Sequence, residues 1–572
     1  VKFFLLASFP KLCFSEWNKM EIEVFFIQMN PKIGDISANK NKIIDALKKH
    51  ENSLKKQVFL CPELSLIGYP PMDLNSFPLL YEKEIQALEE LQSYTQGKSF
   101  ALILGHRFEA SPGGSQFYNG ASVLHAGKIH HQVKKVKLPH YNVFQEKNFF
   151  LPFLEKQISH FELFGETMHL SVCEDIYDRV RAFGVKDLRE YPKELNPLYK
   201  KDFSAKIFIN LSASPYYTGK APGRMKKILE LSKELQAKFL YCNQVGAQDE
   251  LNFDGRSCSV NNGDLDFVAP AFQEGTFSKK NSKQEFTYLA YEDILQSLLS
   301  SVRDYFSKTS FKKALLGLSG GIDSALCTYL CAQSLGPENT TPIFMPSQFS
   351  SQKSKRLSQE LCANLNLNLE EIEIDSILEE FSQALFLEDA GIAYENLQSR
   401  IRGTLLMTES NRSNSLVIAT GNKSEYATGY GTLYGDMCGA MAPIGDLYKT
   451  EVFGLCHYIN HKHHQEIIPL ELILRPPTAE LAENQLDEDS LPPYECLDTF
   501  LFDWIENQGK KHHSKAWNEL LEQDGYAKWT KKCSQQEFKR SQCPFIPRVH
   551  LRSFGRYWQM PLSGSKDIFK KN

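Results

Sequence analysis

Leu318-Ser319-Gly320-Gly321-Ile322-Asp323-Ser324 follows the apolar run Ala314-Leu315-Leu316-Gly317 and leads into Ala325-Leu326-Cys327-Thr328-Tyr329-Leu330. That succession predicts a strand, a glycine turn and a helix. Two adjacent glycines let backbone N–H groups approach an anion closely, and a helix N-terminus adds partial positive charge. Ser319 and Ser324 add hydroxyl donors, and Asp323 places a carboxylate where it can hold a divalent cation against phosphate. The GxxxxGK[ST] pattern is excluded, because no lysine follows the glycines. A bare serine–glycine–glycine can be a plain turn. The aspartate, the second serine and the preceding strand together point to a phosphate site.

Outward from this loop the pattern continues as alternating strands and helices. A helix is expected at Tyr291–Tyr305, strands at Thr341–Met345, Glu371–Ile374 and Leu416–Thr420, and helices at 352–365 and 394–410. This alternation reads as a doubly wound parallel sheet, with Thr420 at its carboxyl edge. From Met20 to about Asp266 another α/β series runs through Ile22–Gln28, Val58–Leu60, Phe100–Gly105, Met168–Val172 and Ile207–Asn210. A polar stretch near 273–284 marks a linker. The division is therefore 1–19 as an upstream extension or leader, 20–271 as a first domain, 272–290 as linker and 291–572 as a second domain. The tail beyond Pro492 reads as helical and basic.

Composition narrows the class. Hydrophobic content of 42% and charged content of 23% suit an ordinary globular chain, and a net charge of −4 gives no electrostatic case for nucleic acid or a membrane surface. The 13 cysteines show no CxxC pair or zinc spacing, so a cytoplasmic protein is expected. No run of about 20 apolar residues predicts a membrane span. The apolar start Val1–Phe9 is short and followed by Pro10, which favours an extension ahead of Met20 over a targeting peptide. His461, His463, His464, His512 and His513 lack acidic partners at ligand spacing and read as solvated helix ends.

In the first half, Cys173 ends a strand and precedes Glu174-Asp175-Ile176-Tyr177, Glu63 lies in Cys61-Pro62-Glu63-Leu64, and Lys135 lies in Val133-Lys134-Lys135-Val136-Lys137-Leu138-Pro139. A thiol nucleophile needs a base and a nearby cation. Singly, each residue has an ordinary explanation in a core or a solvated turn. Together, in this order, they resemble the Glu–Lys–Cys triad of the nitrilase superfamily. The resemblance implies an α-β-β-α sandwich in which Glu63 is the general base, Lys135 the oxyanion stabiliser and Cys173 the nucleophile. Lys135 is preferred to Lys134 or Lys137 by family spacing, and Glu146 stands where a supporting glutamate is found. Asn210–Pro215, Gly219-Lys220, Gln244–Leu251 and Phe253-Asp254-Gly255 resemble the glutamine-specific branch, which implies that Tyr141, Ser214 and Lys220 contact glutamine. Gln145, Tyr177, Cys242 and Cys258 depart from the family pattern, the two cysteines being unusual near the implied glutamine site.

The Ser319–Ser324 loop resembles those of ATP pyrophosphatases. Glu395–Gly403, Thr420–Glu425, Gly429–Asp436, Pro443–Thr450 and Arg475–Leu481, with Asp487–Glu495, resemble the glutamine-dependent NAD synthetase family from Met20 to about Pro561. The resemblance implies an adenine nucleotide alpha hydrolase-like second domain that forms an acyl adenylate of nicotinic acid adenine dinucleotide (deamido-NAD) and aminates it. It assigns ATP to Gly317, Leu318, Ser319, Gly320, Gly321, Ile322, Asp323, Ser324 and Thr420, deamido-NAD to Asn396, Glu425 and Lys539, and Mg2+ to Asp323 and Glu425. Lys423 and Lys449 are expected to meet phosphate or transition-state charge, and a homo-oligomer is implied. A glutamine-fed ATP pyrophosphatase with a purine or tRNA acceptor is the alternative; the near-neutral charge argues against tRNA. A binding protein with relic motifs is disfavoured by the intact Glu63, Lys135, Cys173, Asp323 and Glu425.

Overall fold

The computed structural model describes residues 22–176, 205–280, 285–387, 391–483, 485–508, 525–555 and 558–563. The expected leader at 1–19, Tyr177 and the pair His512 and His513 lie outside them.

Alternating apolar residues build the first half. In spatial order, one six-stranded sheet runs Gly275–Phe277, Glu23–Gln28, Gln57–Leu60, Phe100–Glu109, Phe117–His125 and Lys128–Lys134. The second runs Asp264–Val268, Cys258–Asn261, Lys238–Asn243, Ile207–Ser212, Glu166–Val172 and His160–Leu163. Three central strands of each are parallel. Their inner faces meet through Phe26, Val58, Leu60, Ala101 and Ile103 on one side and Leu170, Val172, Ile209, Leu211 and Leu240 on the other. The intervening residues face outward onto helices. Phe25, Phe59, Phe100 and Leu102 pack on Ile36–His50 and Pro78–Tyr94, while Phe208, Phe239 and Tyr241 pack on Lys220–Leu235. The period of two thus serves two apolar interfaces, and the layers are α-β-β-α as expected. Each fully buried Leu, Ile or Phe contributes roughly 1.5–3 kcal/mol.

In the second half four parallel strands lie in the order Glu370–Glu371, Thr340–Phe344, Lys313–Gly317, Ser415–Val417. Helices cover both faces. Ala314, Leu316 and Leu318 meet Ile322–Leu335, Gln352–Asn364 and Lys449–His463, whereas Leu315, Ile343 and Val417 meet Asp375–Leu385 and Ile392–Ser413. This is the doubly wound sheet read from the sequence. Strand order reverses between Lys313–Gly317 and Ser415–Val417, so the crevice at their carboxyl ends is the natural ligand site.

Two sequence expectations are corrected. The linker region contains a strand, Gly275–Phe277, because the free edge of Glu23–Gln28 pairs with it antiparallel. The strand expected at Glu371–Ile374 is confined to Glu370–Glu371; Ile372 and Ile374 still donate their N–H groups to Phe344 and Pro346 carbonyls, at 3.0 and 3.1 Å. No helix among the described residues is long and apolar enough to cross a membrane.

Candidate functional site

Cys173 follows Glu166–Val172 at the carboxyl end of a central strand and holds φ +46°, a left-handed conformation unusual for a residue with a Cβ. Such strain concentrates where geometry matters to function. Glu63 follows Gln57–Leu60 and is fully buried. Its Oε1 accepts from Lys135 Nζ at 2.7 Å and Asn119 Nδ2 at 2.6 Å, and its Oε2 accepts from the Ala213 N–H at 3.0 Å. Lys135 Nζ also donates to both Glu146 oxygens at 2.8 Å, and the Tyr69 hydroxyl donates to Glu146 Oε1 at 2.9 Å. The neighbouring Lys134 points elsewhere, its ammonium 4.7 Å from the Tyr118 ring centroid. Asp175 accepts the N–H groups of Val136 and Lys137 at 3.2 and 2.9 Å, which fixes the backbone that carries Lys135.

Electrostatics give these groups different tasks. Burial pushes the Cys173 thiol well above its ordinary range and Glu63 pushes it further, while Lys135 pulls it down. Cys173 therefore rests as a thiol, and a base would be needed for it to act as a nucleophile. Burial alone would discharge Lys135, but Glu146 and Glu63 hold it firmly protonated. Burial raises Glu146 against the pull of Lys135.

The proposed glutamine contacts lie beside this centre. The Tyr141 hydroxyl donates to Glu174 Oε1 at 2.8 Å, the Ser214 N–H donates to Asn243 Oδ1 at 2.9 Å, and Lys220 Nζ donates to the Pro215 carbonyl at 2.5 Å. Burial lowers Lys220 to about 7, with Arg224 and Arg548 adding to the effect. Cys242 and Cys258 are both core residues, Cys242 between the sheets in the same cluster as Cys173 and Cys258 under the helix Lys220–Leu235.

In the second half a cavity of about 530 Å³ opens at the reversal point. It is lined by Gly317–Ser324, Thr420, Asn396, Glu425 and Lys539, which brings together every residue the sequence assigned to ATP and to deamido-NAD. Gly320 has φ +77°, and a Cβ there would stand 2.6 Å from the Ser354 carbonyl oxygen. Only glycine fits this close approach. Ser319 and Ser324 hydroxyls lie 3.2 Å apart, and the helix Ile322–Leu335 starts without a side-chain cap, leaving its first N–H groups directed at the loop.

Asp323 pairs with Lys449 and accepts from Asn422 Nδ2 at 2.9 Å. Glu425 lies 3.5 Å from the same ammonium and closes the capping box of Lys423–Thr428 with Asn422. Asp487 accepts from Tyr430 and Tyr494 hydroxyls at 3.1 and 2.9 Å. Burial raises Glu425, and Asp323 adds to the rise; Asp323, Glu425 and Asp487 all stabilise the Lys449 ammonium against burial. Three carboxyl groups thus cluster around one lysine, and their oxygens are ligands that suit a hard cation. Among the described residues no group of three or more His, Cys, Asp or Glu is arranged to hold an ion unaided, so such a cation would complete its shell with phosphate and water.

Lys423 is a further correction. It is fully buried and engaged by Asp446 at 2.7 Å, Glu506 at 2.8 Å and the Arg552 carbonyl at 2.7 Å, so it does not reach the cavity. Lys449, by contrast, lines it. Asn396 accepts from the Thr432 hydroxyl at 2.6 Å, and Lys539 Nζ donates to the carbonyls of Gly429 and Gly431 at 2.8 and 2.7 Å. His461, His463 and His464 are exposed around the last turn and C-cap of Lys449–His463, as expected.

A family model described as NAD synthase matches residues 294–543. A glutamine-dependent NAD(+) synthetase of Synechocystis sp. is 38% identical over 94% of this chain and 97% of its own length. The chain belongs to the glutamine-dependent NAD(+) synthetase family. The homologue from Acinetobacter baylyi is 34% identical over 94% of this chain and 98% of its own. The solved glutamine-dependent NAD+ synthetase of Acinetobacter baumannii, in complex with ADP, superposes with a TM-score of 0.71 at 33% identity, covering 94% of this chain and 98% of that one. A glutamine-dependent NAD(+) synthetase is a carbon–nitrogen ligase that amidates deamido-NAD to NAD with nitrogen from glutamine. Sequence reasoning missed Tyr69 and Asn119, which meet Glu146 and Glu63 only through the fold.

Proposed function

We propose that glutamine is hydrolysed at Cys173 and that its ammonia aminates an adenylated deamido-NAD held in the cavity beside Gly317–Ser324. The observation that carries this reading is the buried Glu63–Lys135–Glu146 ion cluster around Cys173, in the same chain as a glycine-loop cavity. Cys173 Sγ attacks the glutamine carboxamide carbon while Glu63 takes the thiol proton. Lys135 stabilises the oxyanion. Collapse breaks the C–N bond, ammonia leaves with the proton from Glu63, and water then hydrolyses the thioester to glutamate. Tyr141, Ser214 and Lys220 hold the substrate, with the Lys220 ammonium matched to its α-carboxylate.

In the cavity the nicotinate carboxylate attacks the α-phosphorus of ATP and pyrophosphate leaves. Ammonia then attacks the acyl carbon, and AMP departs. Backbone N–H groups of the glycine loop and Lys449 meet the phosphates, Thr420 lies at the nucleotide, and Asn396, Glu425 and Lys539 hold the dinucleotide. Mg2+ bound between Asp323 and Glu425 would screen phosphate charge. We read the chain as a glutaminase unit at 20–271, to whose sheet the linker strand Gly275–Phe277 adds, and a ligase unit at 291–572, cytoplasmic and homo-oligomeric by family resemblance.

NAD formation from deamido-NAD, ATP and magnesium tests this reading, with glutamine or ammonium as nitrogen source. Wild type should use both, and Cys173→Ala only ammonium. Glutamine-fed NAD formation by Cys173→Ala would remove Cys173 from the mechanism.

A further inference from the structure

The segment Arg548–Arg552 belongs by sequence to the ligase half, yet it lies against both loops of the glutamine site. The Thr218 N–H donates to the Val549 carbonyl at 2.8 Å, two residues before Lys220. Asn142 Nδ2 donates to the Leu551 carbonyl at 2.8 Å, next to Tyr141. The Arg548 N–H donates to the Glu250 carbonyl at 2.8 Å, and its guanidinium lies 5.2 Å over the Tyr217 ring. That guanidinium also shapes the segment itself, donating to the carbonyls of His550 and Leu551 at 2.9 and 3.0 Å. Arg548, Val549 and His550 are all buried.

The other side of the segment is fastened to the ligase half. Asp446 Oδ2 accepts the N–H groups of Val549 and His550, both at 2.7 Å. The His550 ring lies 2.8 Å from Glu451, and Arg552 is held through its carbonyl by Lys423 at 2.7 Å and through its N–H by Glu506 at 3.0 Å. Lys423 opens the helix whose capping box contains Glu425, and Asn422 of that box reaches Asp323.

We infer that Arg548–Leu551 is a positioning clamp for glutamine, supplied by the ligase half, in which Asn142 and Arg548 set the two loops that carry Tyr141 and Lys220. The inference rests on the reading of Tyr141 and Lys220 as glutamine contacts. Neither Asn142 nor Arg548 touches the substrate; each acts through its neighbour. Asn142 has φ +52°, so glycine can replace it without backbone strain while removing its bond to Leu551.

The test uses the full-length protein with Asn142→Gly and, separately, Arg548→Lys. Glutamine KM is measured in hydrolysis without ATP, and NAD formation is measured with saturating ammonium. Loss of one net hydrogen bond should raise glutamine KM roughly three- to tenfold in each variant. Ammonium-fed NAD formation and the melting temperature should stay near wild type. Glutamine KM within twofold of wild type in both variants overturns the clamp, as does a parallel loss of ammonium-fed activity, which would mark the segment as general scaffold. Cys173→Ala run alongside separates the two readings: glutamine hydrolysis surviving in that variant would remove the glutamine site itself, whereas its loss together with unchanged KM in the other two removes only the clamp.

Discussion

Burial beside Arg224 and Arg548 brings Lys220 to about 7, close enough to neutral pH to control glutamine binding. Its protonated form is the one that pairs with a carboxylate, and kcat/KM reports the free enzyme. Glutamine kcat/KM is therefore expected to fall as pH rises above about 7, by up to tenfold per unit. Lys220→Arg, which stays charged, should abolish that limb; superimposable pH profiles for the two proteins would rule the assignment out. The sign for folding is opposite. Between about 7 and the ordinary lysine value of 10.5 the unfolded chain binds more protons at this position, so its contribution to stability rises with pH across that window. At this scale Glu63, Lys135 and Cys173 were legible as an ordered set through their resemblance to a family triad, each just after a strand, and the fold joins Lys135 to Glu63 at 2.7 Å. The sequence could not separate Lys423 from Lys449. Both are the first residue of a helix, and only the fold sends one to Asp446 and the other to Asp323.

The strand–loop–helix unit at 313–335 makes a strict demand on backbone geometry at Gly320. An alanine at position 320 would carry the left-handed cost of about 1–2 kcal/mol and would also force its Cβ toward a backbone oxygen of the helix Gln352–Asn364. Gly320→Ala should lower NAD formation at least tenfold with either nitrogen source and leave ATP-independent glutamine hydrolysis intact. Parallel loss of both activities would mean that the loop matters for folding and not for ATP. This unit was legible because strand, glycine pair and helix are contiguous, and local propensity agrees with tertiary packing. Elements defined by distant partners were not. Gly275–Phe277 is strand only because Glu23–Gln28 offers it an open edge. Its own composition, polar and glycine-bearing, says linker. The N-half sheets were legible as strands but not as neighbours, since identical period-two patterns would serve either sheet.

The two halves share a buried polar seam. Arg256 pairs with Asp254 at 3.0 Å and across the seam with Asp293 at 2.8 Å, and Asn252 donates to the Ser297 carbonyl at 2.5 Å and to the Ser300 and Ser301 hydroxyls at 2.8 and 3.0 Å. Lys308 donates to Asn30 and to the Ala247 carbonyl, both at 2.6 Å. None of these contacts could be read from sequence, because an Arg, an Asn and a few serines occur on any surface, and only their facing one another gives them meaning. Removing one partner of a buried ion pair leaves the other charge desolvated, at a cost of up to about 3–5 kcal/mol. Asp293→Ala should therefore loosen both halves although neither active centre is touched. After graded heating, residual glutamine hydrolysis and residual ammonium-fed NAD formation should be lost together, at a lower temperature than in wild type. Asp293→Asn, which keeps a hydrogen-bond acceptor for Arg256, should recover part of the difference. If ligase activity instead survives heating that destroys glutaminase activity, the seam does not bind the halves into one cooperative unit. Separation of the two losses would also weaken the case that the glutamine loops depend on a clamp anchored in the other half.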